Sequence, residues 1–245
     1  MPDQSTLFPK PRSEHKYSHI SRLPHLVWWR RLTRWLIKWL SKIVVTICIR
    51  LETDGLENLP KHGPAIIVGN HLGDADLIIG LAISPSLIVE VLAKSELYEF
   101  PILGLILEIY GVIWVHRGQP DRKALRAALE GLEDGRFIAI APEGRESLTG
   151  SLEEGTGGAA YLALKSDVPI VPVTVTGTEN NQVYGNLKRF RRTNVSLRVG
   201  LPFRLQRTSN LRDSVKAGTE TIMRILANQL PLYYRGNYSK LSKGS

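Results

Sequence analysis

The spacing of apolar and polar positions divides the chain near Arg50. Before that point the period is helical. In "HLVWWRRLTRWLIKWLSKIVVTICIR", Trp28, Leu32, Trp35, Leu36, Trp39 and Ile43 recur on one face, and Arg30, Arg31, Arg34, Lys38, Ser41 and Lys42 on the other. Beyond it, short apolar runs alternate with amphipathic segments. "PAIIVG", "LIVEVL", "VIWV", "FIAIA" and "PIVPVTV" predict five strands, with "VSLRVG" and "PFRL" as later ones. Helices are predicted for Asp74 to Ile83, for "ELYEFPILGLILEIY" with a kink or late start at Pro101, for "QPDRKALRAALEGLEDG", for Gly157 to Ser166 and for Leu211 to Leu230. Buried strands separated by helices predict an α/β fold, a mostly parallel central sheet flanked by helices. The division gives residues 1–50 as a tail plus an amphipathic helix, and residues 51–245 as the main domain.

Composition sharpens the reading of the first helix. Four of the five tryptophans lie in it, opposite a row of cations. Rings at headgroup level and cations near phosphates suit a helix lying in a membrane interface. The plainer alternative is a helix packed on its own domain with a solvated basic face. The net charge of +9 predicts an anionic partner, and an anionic membrane surface, at its cytoplasmic face, meets that description. Leu36 to Ile49 is the most apolar long window, but Lys38 and Lys42 interrupt it, and a spanning helix needs about 20 mostly apolar residues. Met1 to Leu23 is polar and proline-bearing, reads as a loosely held tail, and lacks the features of a signal peptide. The single cysteine, Cys48, excludes an internal disulfide and a cysteine-based metal site, and fits a reducing compartment. The basic stretch "LKRFRRTNVSLRV" raises a non-enzymatic nucleic-acid binder as a second class. No recognised nucleic-acid motif accompanies it, and a basic rim beside an anionic membrane accounts for it, so no nucleic-acid partner is expected.

Function in open α/β sheets collects at the carboxyl ends of strands, and His71, His116, Arg117 and the Pro142 to Ser147 loop all follow predicted strands. In "GNHLGDADLI", His71 precedes Asp76 by five positions. A carboxylate that accepts from one imidazole nitrogen fixes the tautomer and leaves the other to take a proton. On the pair alone, a capping aspartate beside an incidental loop histidine reads as well, and Asp74 is the better candidate for the cap itself. There is no G-x-S-x-G elbow and no H-E-x-x-H or other metal signature, so no metal is expected. A base without a protein nucleophile suits direct activation of a substrate hydroxyl against an already activated electrophile such as a thioester. His116 reads as structural.

"NHLGDAD" resembles the N-H-x-x-x-x-D motif of the glycerophosphate and lysophosphatidate acyltransferase family. "GVIWVHRG" is similar to the family's G-x-I-F-x-x-R block, "APEGRES" to its F-P-E-G-T-R-S block, and "VPIVPV" to its fourth, proline-bearing block. The resemblance covers roughly Leu56 to Gly177 and makes residues 51–245 the catalytic domain. It implies that His71 deprotonates the acceptor hydroxyl and that Asp76 orients it. The alkoxide then attacks an acyl-CoA or acyl-carrier-protein thioester, a co-substrate, with no resident cofactor and no covalent acyl-enzyme. Arg117, with Glu143 and Gly144, is implied to bind the phosphate of a lysophospholipid acceptor. Where the family has Thr then Arg after P-E-G, this chain has Arg145 then Glu146. The shift suggests an Arg117–Arg145 clamp, assisted by main-chain N–H groups around Gly144, with Glu146 turned away or paired to a basic neighbour. It also leaves open another acceptor for the same chemistry: a lysophospholipid, a lipid-linked sugar or an amino-acid lipid, or transacylation between phospholipids.

Overall fold

The computed structural model of the protein describes residues 20–116 and 121–242. Helix α1 (Trp28–Cys48) runs without a turn into strand β1 (Ile49–Asp54). There follow β2 (Ala65–Gly69), α2 (Ala75–Ile83), β3 (Val89–Lys94), α3 (Pro101–Tyr110), β4 (Ile113–Val115), α4 (Arg122–Glu133) and β5 (Phe137–Ile140). The chain continues through α5 (Gly158–Ser166), β6 (Ile170–Thr176), α6 (Asn180–Lys188), β7 (Thr193–Val199) and α7 (Leu211–Gln229). The seven strands form one sheet in the order β1-β7-β6-β2-β5-β3-β4, parallel at every pairing except β6 with β7. The expected α/β fold with a mostly parallel sheet is what forms.

Alternate residues of the inner strands serve two cores. Ile66, Val68, Ile138 and Ile170 pack under α4, α5 and α7, while Ala65, Phe137, Val171 and Val175 pack with Val45 of α1 and Ala75 and Ile79 of α2. Strands buried on both faces read as unbroken apolar runs, which is why they were legible.

Three elements differ from expectation. β1 was not anticipated: "IRLETD" is a largely exposed edge strand that continues directly from a helix, so neither period nor turn announces it. α6 was not anticipated either, because "NNQVYGNLK" buries none of its residues and so shows no apolar stripe. "PFRL" is not a strand. Phe203 makes only an isolated bridge to Ile170 through a pair of main-chain hydrogen bonds. Most of the expected Met1 to Leu23 tail lies outside the described residues, but its end is held, with Ile20 buried beside Tyr110 and Trp114.

Helix α1 is oriented opposite to an ordinary surface helix. Its polar face turns inward. Arg34 is 1% exposed, and all five of its N–H donors are used: on Glu90 Oε1 and Oε2 (3.0 and 2.7 Å) and on the carbonyls of Tyr110, Leu87 and Gly111. Glu90, fully buried in β3, also accepts from Arg136 at 3.1 Å. Ser41 is buried, and Lys38 donates to the Ser84 carbonyl. The expectation that these residues form a solvated or lipid-facing basic face is therefore corrected for Arg34, Lys38 and Ser41. Arg31 and Lys42 remain exposed. The apolar face points outward, with Trp28, Leu32, Trp35, Leu36, Trp39, Leu40, Ile43 and Ile47 all exposed. A paired, fully bonded guanidinium is the condition under which burying that charge is tolerated. Among the described residues no helix is long and apolar enough to cross a membrane.

Candidate active site

Strands β5, β2 and β6 are neighbours, and the segments leaving their carboxyl ends meet. β2 ends at Gly69, where the chain passes close to β6: a Cβ there would lie 3.0 Å from the Val173 carbonyl oxygen, a crowded contact. Asn70 follows, buried, and clamps β2 to β6. Its Nδ2 donates to the Val175 carbonyl at 2.8 Å and its Oδ1 accepts the Val175 N–H at 2.9 Å. The backbone at His71 is thus fixed from the preceding residue, before its own side chain makes any contact.

His71 Nδ1 lies 2.8 Å from Asp76 Oδ2. The same oxygen accepts the N–H groups of Leu72 at 2.7 Å and Gly73 at 3.1 Å. Asp76 sits in the first turn of α2, where the helix dipole favours its charge. These bonds hold the imidazole with its proton on Nδ1, so Nε2 is the basic nitrogen. The imidazole is 30% exposed and the carboxylate 12%. Asp74 does not cap α2, contrary to expectation. Its carboxylate accepts the Tyr184 hydroxyl at 2.7 Å, and its N–H donates to Asn180 Oδ1. The N–H groups that Asp76 accepts, those of Leu72 and Gly73, precede the helix, so Asp76 ties the His71 loop to α2 and the helix has no side-chain cap.

The Pro142 to Ser147 loop after β5 closes the site from the other side. Its main chain is joined to the histidine directly, since Ser147 N–H donates to the His71 carbonyl at 2.8 Å. The Ser147 hydroxyl donates to the Ser151 carbonyl at 2.6 Å, so it is not directed at His71 as a nucleophile would be. Glu143 is 5% exposed and turned inward, with Oε2 accepting the Glu153 N–H at 2.8 Å and Oε1 left without a partner. Burial pushes its carboxyl up from the ordinary value, opposed by main-chain hydrogen bonds from Glu153 and His71. Through the Glu153 N–H bond the buried Glu143 side chain ties its loop to the segment at Glu153. Gly144 adopts φ +72°, which favours glycine, and its N–H is donated to the Ala141 carbonyl. Arg145 is half exposed and paired with Glu153 at 2.6 Å. Glu146 accepts from Asn180 Nδ2 at 2.8 Å, so its partner is an amide rather than a basic side chain. Arg117 lies outside the described residues. Among the described residues no group of histidine, cysteine, aspartate or glutamate is arranged to hold a metal ion.

The structure therefore brings His71, Asp76 and the Glu143–Arg145 loop together. It adds Asn180 and Tyr184, which motif reading had missed, and gives Asn70, the first residue of the N-H-x-x-x-x-D motif, its part as a clamp. Asn70 was readable only as the residue before the histidine. Asn180 and Tyr184 sit on the helix that showed no period.

The histidine–carboxylate pair thus stands at the carboxyl end of an inner strand of an α/β sheet, with a loop tied to it from the neighbouring strand, which is where function collects in such sheets. The family model described as Acyltransferase matches residues 50–176, and the chain belongs to that family. Over 153 residues it is 33% identical to the 1-acyl-sn-glycerol-3-phosphate acyltransferase of Borreliella burgdorferi, covering 58% of this chain and 60% of that relative. Over 148 residues it is 29% identical to the lyso-ornithine lipid O-acyltransferase of Pseudomonas aeruginosa, covering 60% and 54%. The chain thus spans between 54% and 60% of the length of these two relatives. The crystal structure of the 1-acyl-sn-glycerophosphate (LPA) acyltransferase PlsC from Thermotoga maritima is similar with a TM-score of 0.62 at 25% identity, covering 82% of this chain and 80% of that one.

Proposed function

We propose that the chain transfers a fatty acyl group from an acyl thioester, of CoA or acyl carrier protein, to the free hydroxyl of a lysophosphatidate-type glycerolipid, giving phosphatidic acid. The observation that carries this reading is the mount of the His71–Asp76 pair at the end of β2: a 2.8 Å bond from Nδ1 to the carboxylate, on a backbone held by the Asn70 clamp before it and by the Ser147 N–H on its own carbonyl. His71 Nε2 takes the acceptor's hydroxyl proton as the oxygen attacks the thioester carbonyl. The C–O bond forms, the C–S bond breaks, and the thiolate leaves with the proton returned from His71. Asp76 keeps the tautomer and stabilises the imidazolium that forms. Arg117 binds the acceptor phosphate through its planar fork, and the half-exposed Arg145 joins it by leaving Glu153, which keeps the Leu148 N–H as a partner. Glu143 keeps the Glu143–Ser147 loop against His71 and does not touch the substrate.

The outward tryptophan face of α1 supports docking on an anionic membrane, because an unpartnered apolar face of this size costs free energy in water and its flanking cations Arg31 and Lys42 are exposed. A second acceptor class is favoured by one observation. Glu146 places an acid where the family carries arginine, which suits an acceptor bearing an amine, such as an amino-acid lipid. The test is incubation with a labelled thioester and equal amounts of lysophosphatidate, monoacylglycerol and lyso-ornithine lipid. Lysophosphatidate is expected to be the best acceptor, far ahead of monoacylglycerol, with Arg117→Ala or Arg145→Ala shrinking the preference and Lys restoring part of it. Equal rates on lysophosphatidate and monoacylglycerol remove the phosphate clamp, and a preference for lyso-ornithine lipid selects the second class.

A further inference from the structure

The turn between α6 and β7 carries a side chain in an arrangement that folding alone does not explain. Phe190 is 100% exposed and has φ +53°. It occupies the position just past a helix end where glycine is normally placed. Its N–H donates to the Leu187 carbonyl and the N–H of Arg191 reaches back to the Asn186 carbonyl, which locks the turn. A bulky aromatic at positive φ is a genuine outlier, and here it buries nothing. Leu187 and Tyr184, on the same helix, are about half exposed. Lys188, Arg189, Arg191 and Arg192 flank it in the chain, and no acidic residue occurs from Tyr184 to Asn194.

The position of this knuckle in the fold gives it meaning. Thr193, the first residue of β7, pairs with Ile49, the first residue of β1, immediately after α1. The Arg192 guanidinium donates to the Ile49 carbonyl at 3.0 Å. The knuckle therefore sits near the end of α1 that carries the exposed Ile43 and Ile47. Through α6 it is also coupled to the site, since Asn180 and Tyr184 hold Asp74 in the His71 loop.

We propose that the α6–β7 knuckle is a second membrane contact, in which Phe190 enters the headgroup layer of an anionic bilayer while Lys188, Arg189 and Arg191 bind lipid phosphates. This rests on the reading of α1 as the first contact. Two contacts at separate points fix the tilt of the protein, and α6 acts as the strut that turns the His71 crevice toward the surface from which a lipid acceptor arrives. The shared chemistry with an aromatic at positive φ is simple: the conformation is retained because the ring has a use outside the folded chain. Anionic lipid is the occupant favoured by the uniform positive charge and by the nearness of the end of α1.

The test uses the full chain in flotation with vesicles of phosphatidylcholine alone or with phosphatidylglycerol. Phe190→Gly relieves the backbone and removes the ring, so the melting temperature is expected to hold or rise while vesicle binding falls several-fold. Activity on bilayer acceptors should fall with it, and activity on short-chain monomeric acceptors should not. Arg189→Glu with Arg191→Glu is expected to weaken binding to the anionic vesicles only, and Phe190→Trp to preserve binding. A Phe190→Gly protein that floats like the parent overturns the proposal, as does one that loses binding only together with its melting temperature. Trp35→Ser with Trp39→Ser reports on α1 separately: loss there with none at Phe190 leaves α1 as the sole contact, and the reverse leaves the knuckle standing without α1.

Discussion

Two histidine–aspartate pairs of the same spacing occur in this protein. His71 and Asp76 follow β2, and His116 and Asp121 follow β4. Each aspartate is five residues on, each pair joins Nδ1 to Oδ2, and the distances are 2.8 and 3.0 Å. Each stands beside the start of a helix. By the bond alone they are indistinguishable, so the bond alone is no signature of catalysis. What separates them is everything attached. Asp121 spends its second oxygen capping α4, accepting the N–H groups of Lys123 and Ala124, and its first oxygen also accepts from the His116 N–H and the Ser21 hydroxyl. His116 is 17% exposed, and its Nε2 is buried without a partner. The pair fastens the segment before α1 to the β4–α4 junction. His71 is more open, at 30%, and its backbone is fixed from both sides by Asn70 and Ser147. That greater exposure and that mount are what support the proposed base at His71 rather than at His116.

The contrast can be broken by substitution. His71→Ala should lower turnover by about 10²–10⁴-fold with the fold retained, because that is what a positioned general base contributes. Turnover near the parent's, in a protein with an unchanged melting curve, would remove the catalytic distinction between the pairs. Asp76→Asn should also cut turnover severely, by loss of the tautomer anchor, whereas Asp121→Ala should leave kcat within a few-fold and lower stability by roughly 1 kcal/mol through the lost cap. Steady-state kinetics and denaturant melts on the two proteins check this together.

Acid–base titration of stability gives a finer separation, with opposite signs. Burial alone would raise the Asp121 carboxyl, but hydrogen bonds from the main chain of Ala124 and His116 and from the His116 ring outweigh it and hold the carboxyl below its ordinary 3.8. The stability it supplies is present above that value and is lost as pH falls through the lowered one. Glu143, on the His71 side, is raised above 4.5 by burial. Its protonated form is the one the fold prefers, so its contribution is present below 4.5 and is lost as pH rises through the raised value. Thermal melts against pH should therefore show Asp121→Asn converging on the parent toward acid. Relative to Glu143→Gln, the parent should lose stability as pH rises from below 4.5. The same sign for both variants would mean that the two sites are not electrostatically distinct.

Much of this was legible in the residue pattern. The doubly buried strands announced themselves as apolar runs, and Pro101 marked the start of α3. His71, Asp76 and the P-E-G turn were readable because their spacing is local: five residues and a loop. The edge strand β1 and the polar helix α6 were not, because neither buries an apolar stripe that would impose a period on the sequence. Asn180 and Tyr184 reach the His71 loop from more than a hundred residues away, and nothing near them in the chain records that contact.

The amphipathic period of α1 shows the division most clearly. The sequence by itself determined that this helix has a tryptophan face and a basic face, since spacing at 3.6 residues per turn is a property of the chain. Which face turns inward was decided only by the fold. Glu90, on a strand more than fifty residues later, offers a buried carboxylate that takes both Arg34 and Arg136, and the carbonyls at the end of α3 and of Leu87 before β3 supply acceptors for the rest of the Arg34 guanidinium. Partners for a buried charge come from distant segments, so the period can name two faces but cannot say which one the protein will keep for itself.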